Sequence, residues 1–179
     1  MNALLDLIGN TPLVEIKRLH ANPKVKIFGK LEGNNPGGSV KDRAAKNMIQ
    51  GAIERGDIQA GTKLIEATSG NTGIALAMIA RLYGIEIELA MPANSTRERV
   101  LTMEAFGAKV TLTESIESAR DYAVEKASTG EYFLLNQFEN PDNYLAHYKT
   151  TGPEIYRDTL GKVTHFVSSM GTTGTIMGT

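Results

Sequence analysis

Cysteine is absent from this 179-residue chain, which excludes disulfides and thiolate metal sites together. A surplus of either charge is missing too: the formal net charge is -1, with acids and bases interspersed. Without a basic face or a polybasic tail, nucleic acid is not an expected partner. No run approaches the ~18 apolar residues of a membrane span, and the start Met1-Asn2-Ala3-Leu4-Leu5-Asp6 has no basic leader region. A cytoplasmic protein with no membrane contact is the expectation. Histidine is scarce, and His20, His147 and His165 form no pair at ligand spacing, so no metal is expected and each is read as a surface or packing residue. Internal repeats and low-complexity tracts are missing as well.

What the chain does have is a lysine in an unusual place. In Asn34-Asn35-Pro36-Gly37-Gly38-Ser39-Val40-Lys41-Asp42-Arg43 a turn leads to Ser39, a natural N-cap, and the residues from Ala44 onward read as a helix. At about 100° per residue, Val40, Ala44, Ala45, Met48, Ile49, Ala52 and Ile53 form one apolar stripe, and Lys41 projects near its centre. The positive end of the helix dipole and partial desolvation both favour a neutral amine there. A neutral amine is a nucleophile, suited to Schiff-base formation with a carbonyl such as that of pyridoxal phosphate. The plainer alternative is a first-turn lysine that reaches back to solvent. A Walker A loop fails on spacing, because Ser39-Val40-Lys41 stands where Gly-Lys-Ser/Thr is required.

Around this helix the pattern is regular. Leu13 to Ile16 and Val25 to Leu31 read as a β-ribbon. Strands are expected at Lys63 to Ala67, Ile85 to Ala90, Lys109 to Leu112, Tyr132 to Leu135 and Thr164 to Ser168. Helices are expected from Ile74 to Tyr83, after a Ser95-Thr96-Arg97-Glu98 capping box, from Ser115 to Ala127, and across a region broken at Gly152-Pro153. Strands separated by helices of this length predict a doubly wound, mostly parallel α/β fold with ligands at the carboxyl ends of the strands.

Two strand-to-helix turns lie where such a ligand would sit. Thr68-Ser69-Gly70-Asn71-Thr72-Gly73 offers backbone N–H groups and hydroxyls to a carboxylate or phosphate, and Met170-Gly171-Thr172-Thr173-Gly174-Thr175 offers more hydroxyls still. Alone, each is an ordinary Gly/Ser/Thr junction. Together with an inward lysine they suit a cofactor bearing an aldehyde and a phosphate, and a substrate bearing a carboxylate.

Five segments resemble the cysteine synthases, pyridoxal-phosphate enzymes of fold type II, the tryptophan synthase β-subunit architecture. They are Asn35 to Arg43, Thr68 to Gly73, Asn136-Gln137-Phe138, Thr151-Gly152-Pro153-Glu154-Ile155 and the Gly171 to Thr175 loop. The Gly-Gly before Ser39 and Asp42-Arg43 after the lysine are most similar to the cysteine synthase B branch. The resemblance implies that Lys41 carries the cofactor and moves the Cα proton, and that Asn71 bonds its ring hydroxyl. It implies further that Thr68, Ser69, Gly70, Thr72 and Gln137 hold the substrate carboxylate, and that Gly171, Thr172, Thr173, Gly174 and Thr175 bind the phosphate. The implied reaction is β-replacement, in which sulfide displaces acetate from O-acetylserine to give L-cysteine, or thiosulfate gives S-sulfocysteine. A homodimer is implied for the full-length protein.

Family members continue past Thr179, with a serine for the pyridine nitrogen, so the chain is expected to be C-terminally truncated. Residues 1–36 are then strands of the larger domain, 37–145 the smaller domain, and 146–179 the incomplete start of the larger one. The 179-residue chain by itself is expected to be inactive, and Ile176 to Thr179 too short to form a helix. A serine or threonine dehydratase would share the lysine but resembles Ser-Gly-Asn-His-Ala in the carboxylate loop, against Ser69-Gly70-Asn71-Thr72-Gly73 here. A catalytically silent α/β anion-binding module is the remaining alternative.

Overall fold

In the computed structural model, which describes residues 3–179, the chain begins with one helical turn, α1 (Ala3–Asp6), and a short ribbon. Strands β1 (Leu13–Glu15) and β2 (Phe28–Lys30) pair antiparallel, with Val14 opposite Gly29. After the helix α2 (Lys41–Arg55) the alternation sets in: β3 (Lys63–Ala67), α3 (Asn71–Tyr83), β4 (Ile87–Pro92), α4 (Arg97–Ala105), β5 (Lys109–Thr113), α5 (Ile116–Ser128) and β6 (Tyr132–Leu134). The helices α6 (Pro141–Lys149), α7 (Thr151–Asp158) and the short α8 (Gly174–Gly178) follow.

The four later strands form one parallel sheet in the order β5-β4-β3-β6. The chain steps outward from β3 to β5 and then returns to the far side of β3, so the order reverses between β3 and β6. That is the crevice in which doubly wound sheets take ligands. Helices α2, α3 and α4 cover one face, where Met48, Ile49, Leu64, Leu76, Ile79, Leu89 and Met103 are fully buried. The other face is thinner: Ile65, Ala67 and Ala90 lie under Ala119 and Ala123 of α5. Buried on both sides, β3 and β4 read as near-continuous apolar runs. Each is interrupted by one carboxylate, Glu66 or Glu88.

Several expectations are corrected. Thr164 to Ser168 is not a strand, because a strand needs a neighbour to pair with and none lies beside it among the described residues. Val167 there is 91 % exposed. The break between α6 and α7 falls at Thr150, and Gly152-Pro153 sits in the first turn of α7, where the missing proline N–H is not needed. Thr96, not Ser95, flanks α4 and makes no side-chain cap bond, so the capping box is not formed. α3 starts at Asn71 rather than Ile74, which places Asn71, Thr72 and Gly73 in its first turn. The last residues do form a helical turn, α8, because Gly178 lets it settle against the Tyr144 carbonyl and His147, where a Cβ would collide.

Candidate active site

Lys41 opens α2, and its backbone N–H donates to Ser39 Oγ at 3.1 Å, so Ser39 caps the helix from one residue further out than a standard N-cap. The Lys41 side chain is half-buried, and its Nζ has no hydrogen-bond or ion-pair partner among the described residues. Burial lowers its pKa. The next two residues are buried as well. Asp42 accepts from the Gly37 N–H, while its Oδ1 has no partner among the described residues; burial, opposed by that bond and aided by the Glu32 charge, pushes it up to about 6. A side chain at 37 would run into the Asp42 carboxylate, which accounts for the glycine.

Arg43 is the hub of an ion-pair cluster behind the lysine. Its guanidinium meets Glu154 at 2.6 and 2.8 Å, Glu32 at 2.8 Å through two nitrogens, and Thr11 Oγ1 at 3.1 Å. Lys30 joins at 2.7 Å from Glu154, which also accepts from the Asn10 N–H at 2.9 Å. Burial pushes the Glu154 carboxyl up, but the bonds from Arg43 and Lys30 outweigh it and hold it down at about 2. The cluster fastens the β1–β2 ribbon and α7 to the start of the lysine helix.

At the carboxyl end of β3, Thr68 is buried and its Oγ1 accepts from the N–H groups of Gly70 and Gly73, both at 3.2 Å. Both lone pairs are then used, and the hydroxyl can act outward only as a donor. That is the polarity a carboxylate needs. Asn71 is exposed and its side chain makes no hydrogen bond among the described residues, nor does the Thr72 hydroxyl. The Ser69 carbonyl is held by Arg99 of α4 at 3.0 Å, and Gly70 lies against that guanidinium.

Across the crevice, beyond β6, Gln137 donates from Nε2 to the Ala67 carbonyl at 2.8 Å. One amide proton is fixed on β3 and the other left free. The Gln137 N–H donates to Glu66 at 3.3 Å. Burial pushes the Glu66 carboxyl up to about 8, against the opposing pull of the N–H groups of Gln137, Ala67 and Asn136. In the last loop, Thr172 Oγ1 accepts from Asn143 Nδ2 at 3.0 Å, and Thr175 Oγ1 is 3.4 Å from His147 Nε2. Thr173 has φ 62, a left-handed conformation that a β-branched residue adopts only under strain, and such strain gathers at ligand sites. A Cβ at Gly171 would meet nothing among the described residues, while Gly174 is backed directly by the Asn143 amide. His147 is buried, and burial together with the charges of Arg43 and Lys41 lowers it to about 4, leaving a neutral ring at pH 7.

The structure thus brings Thr68 and Gln137 together through Ala67, and Gln137 and the Thr172 loop together through Asn143; that loop also meets His147 through Thr175, and the Lys41 charge contributes to lowering the His147 pKa. Glu66 and Asn143 were not singled out by sequence reading, while His147 was read only as a surface or packing residue and Glu154 only as part of the Thr151 to Ile155 segment. For Glu66 the available signal was a glutamate inside the apolar strand Lys63 to Ala67.

Residues 4–179 match the family described as "Pyridoxal-phosphate dependent enzyme". The chain belongs to that family. Cysteine synthase B of Salmonella typhimurium is 59% identical over 181 residues, covering 99% of this chain and 60% of that protein. Cysteine synthase A of Escherichia coli is 44% identical, over 96% of this chain and 54% of that protein, so the resemblance to the B branch exceeds that to the A branch. Among solved structures, an O-ureido-L-serine synthase superposes with a TM-score of 0.94 at 38% identity, over 99% of this chain and 57% of its own. The chain therefore spans between 54% and 60% of the length of these three proteins. The cofactor of this family is pyridoxal 5'-phosphate, and the residues described fit it: an unpaired half-buried amine, an unpartnered Asn71 amide and a strained hydroxyl-rich loop.

Proposed function

We propose that this chain carries the smaller domain and part of the larger domain of a pyridoxal-phosphate-dependent cysteine synthase, which replaces the acetate of O-acetylserine with sulfide, or with thiosulfate to give S-sulfocysteine. The observation that carries the reading is Lys41, a half-buried amine with no counter-ion among the described residues. Bound pyridoxal phosphate supplies an electron sink for the charge that develops at the substrate Cα. Lys41 supplies the nucleophilic amine that holds the cofactor and, once released, the base for the Cα proton. Asn71 donates to the ring hydroxyl, and Gly171, Thr172, Thr173, Gly174 and Thr175 hold the phosphate. Thr68, Ser69, Gly70 and Thr72 with the free Gln137 proton hold the substrate carboxylate, supported by the donor-only polarity of Thr68. The bonds from Lys30 and Asn10 to Glu154 support the assignment of 1–36 and 146–179 to one larger domain around the smaller domain 37–145. A homodimer and a cytoplasmic location belong to the same proposal; no helix of the described residues is long and apolar enough to cross a membrane.

Residues 1–179 assayed alone are expected to turn over little, because the exposed, unpaired 163–170 segment leaves the phosphate loop weakly placed, and ~1 Å of misplacement slows a reaction about a hundredfold. Borohydride reduction of the cofactor-loaded protein, followed by peptide mapping, is expected to place the pyridoxyl group on Lys41. Label on Lys30 or Lys46 would refute the assignment, and absence of a visible absorbance band would favour a silent anion binder.

A further inference from the structure

Asn143 lies on the first turn of α6, is 5 % exposed, and uses one amide nitrogen to join two segments far apart in sequence. Nδ2 donates to the Gln137 carbonyl at 2.7 Å and to Thr172 Oγ1 at 3.0 Å. Both protons of the amide are thereby committed. On the Gln137 side the backbone is held at both its N–H, by Glu66, and its carbonyl, by Asn143, while the side chain is anchored on Ala67. On the Thr172 side, accepting from Asn143 turns the hydroxyl proton outward, as a phosphate oxygen requires. Gly174 rests directly on the Asn143 amide, where any Cβ would overlap it. The neighbouring residue anchors the same turn to the lysine helix: Asp142 accepts from Arg55 at 2.7 Å, and its carbonyl accepts from Asn47 at 2.7 Å.

We propose that Asn143 is a positioning residue whose amide, lying between the Gln137 carbonyl and the Thr172 hydroxyl, sets the distance between the carboxylate-binding segment and the phosphate-binding loop. The roles of those two segments rest on the function proposed above; the mechanical link between them does not. Removing the link loosens both segments at once. It weakens retention of the cofactor phosphate and raises the KM for the amino-acid substrate, each by about tenfold for the loss of one or two buried hydrogen bonds.

Hydrogen exchange of the ligand-free chain tests the link. Asn143→Asp keeps the shape and removes both donors; it is expected to speed exchange several-fold in the peptides containing 136–138 and 171–175. Thr172→Val removes only the acceptor in the loop, yet is expected to speed exchange at 136–138, whereas Thr172→Ser keeps the hydroxyl and leaves that peptide as in wild type. A purely structural role would instead lower the melting temperature and speed exchange throughout. Unchanged exchange at 136–138 in Thr172→Val, or a uniform rise in Asn143→Asp, would overturn the proposal. With pyridoxal phosphate bound, Asn143→Asp is expected to raise both the cofactor Kd and the O-acetylserine KM. Failure of wild type to attach the cofactor at Lys41 would remove the proposed function while the exchange result still decides the link.

Discussion

Replacing Glu154 by glutamine probes the framework behind the lysine. The glutamate accepts four hydrogen bonds, two from Arg43, one from Lys30 and one from the Asn10 N–H, and its side chain is 6 % exposed. Its carboxyl titrates at about 2 rather than the ordinary 4.5. At about 1.4 kcal/mol per pKa unit this difference corresponds to ~3 kcal/mol of stability at pH 7, and solvent screening reduces it to ~2 kcal/mol. Loss of one partner from a buried pair commonly costs about 3–5 kcal/mol, but Arg43 keeps Glu32, so the lower figure is expected. For a carboxyl depressed on folding, the stabilisation is present above pH 4.5 and is lost as the pH falls through 2. In urea, with a slope of about 2 kcal/mol per molar, Glu154→Gln is expected to lower the midpoint by about 1 M at pH 7. The gap to wild type then narrows as the pH falls from 4.5 towards 2. A gap of the same size at both ends of that range would show that shape, and not charge, is at stake. No gap at all would refute the cluster as a stabilising element.

Thr68→Val is isosteric but leaves the buried Gly70 and Gly73 N–H groups without an acceptor; it is expected to destabilise the chain by ~2 kcal/mol or more and to disturb Asn71, which follows Gly70, while Thr68→Ser stays near wild type in thermal melts. Glu66 has the opposite sign to Glu154: its carboxyl is raised from 4.5 to about 8, so the folded state keeps a proton that the unfolded chain releases, and stability falls as pH rises across that window. Glu66→Gln is expected to flatten the decline in melting temperature between about pH 6 and 8, and a decline of equal slope in both proteins would assign it to another group.

What was legible in the sequence divides along physical lines. The buried stripe of α2 was readable because burial on one helix face imposes its own period, and the strand Lys63 to Ala67 because burial on both faces leaves a short, nearly continuous apolar run. The 164–168 segment has the same local composition as a strand, but strand formation is a property of the pair, and no strand pairs with it among the described residues. Gly152-Pro153 looked like a breaker because proline disrupts a helix interior; in the first turn it does not. In the site, Lys41, Thr68 and Thr172 stand in segments whose turn chemistry is local, while Gln137 was reached only through the family resemblance. Glu66 and Glu154 work through partners 71 and 111 residues away, Gln137 and Arg43, and no window on the sequence reveals such a pairing.

The same cluster bears on the state of the lysine. Arg43 stands two residues from Lys41, and a guanidinium so near would by itself drive the amine to lose its proton. Here its charge is matched by Glu154 and Glu32, and burial is the one cause found for the lowered Lys41 pKa. The lowered pKa of the amine therefore follows from its burial rather than from a fixed neighbouring charge. Deeper burial of the amine would lower it further, and access of water to it would restore its proton.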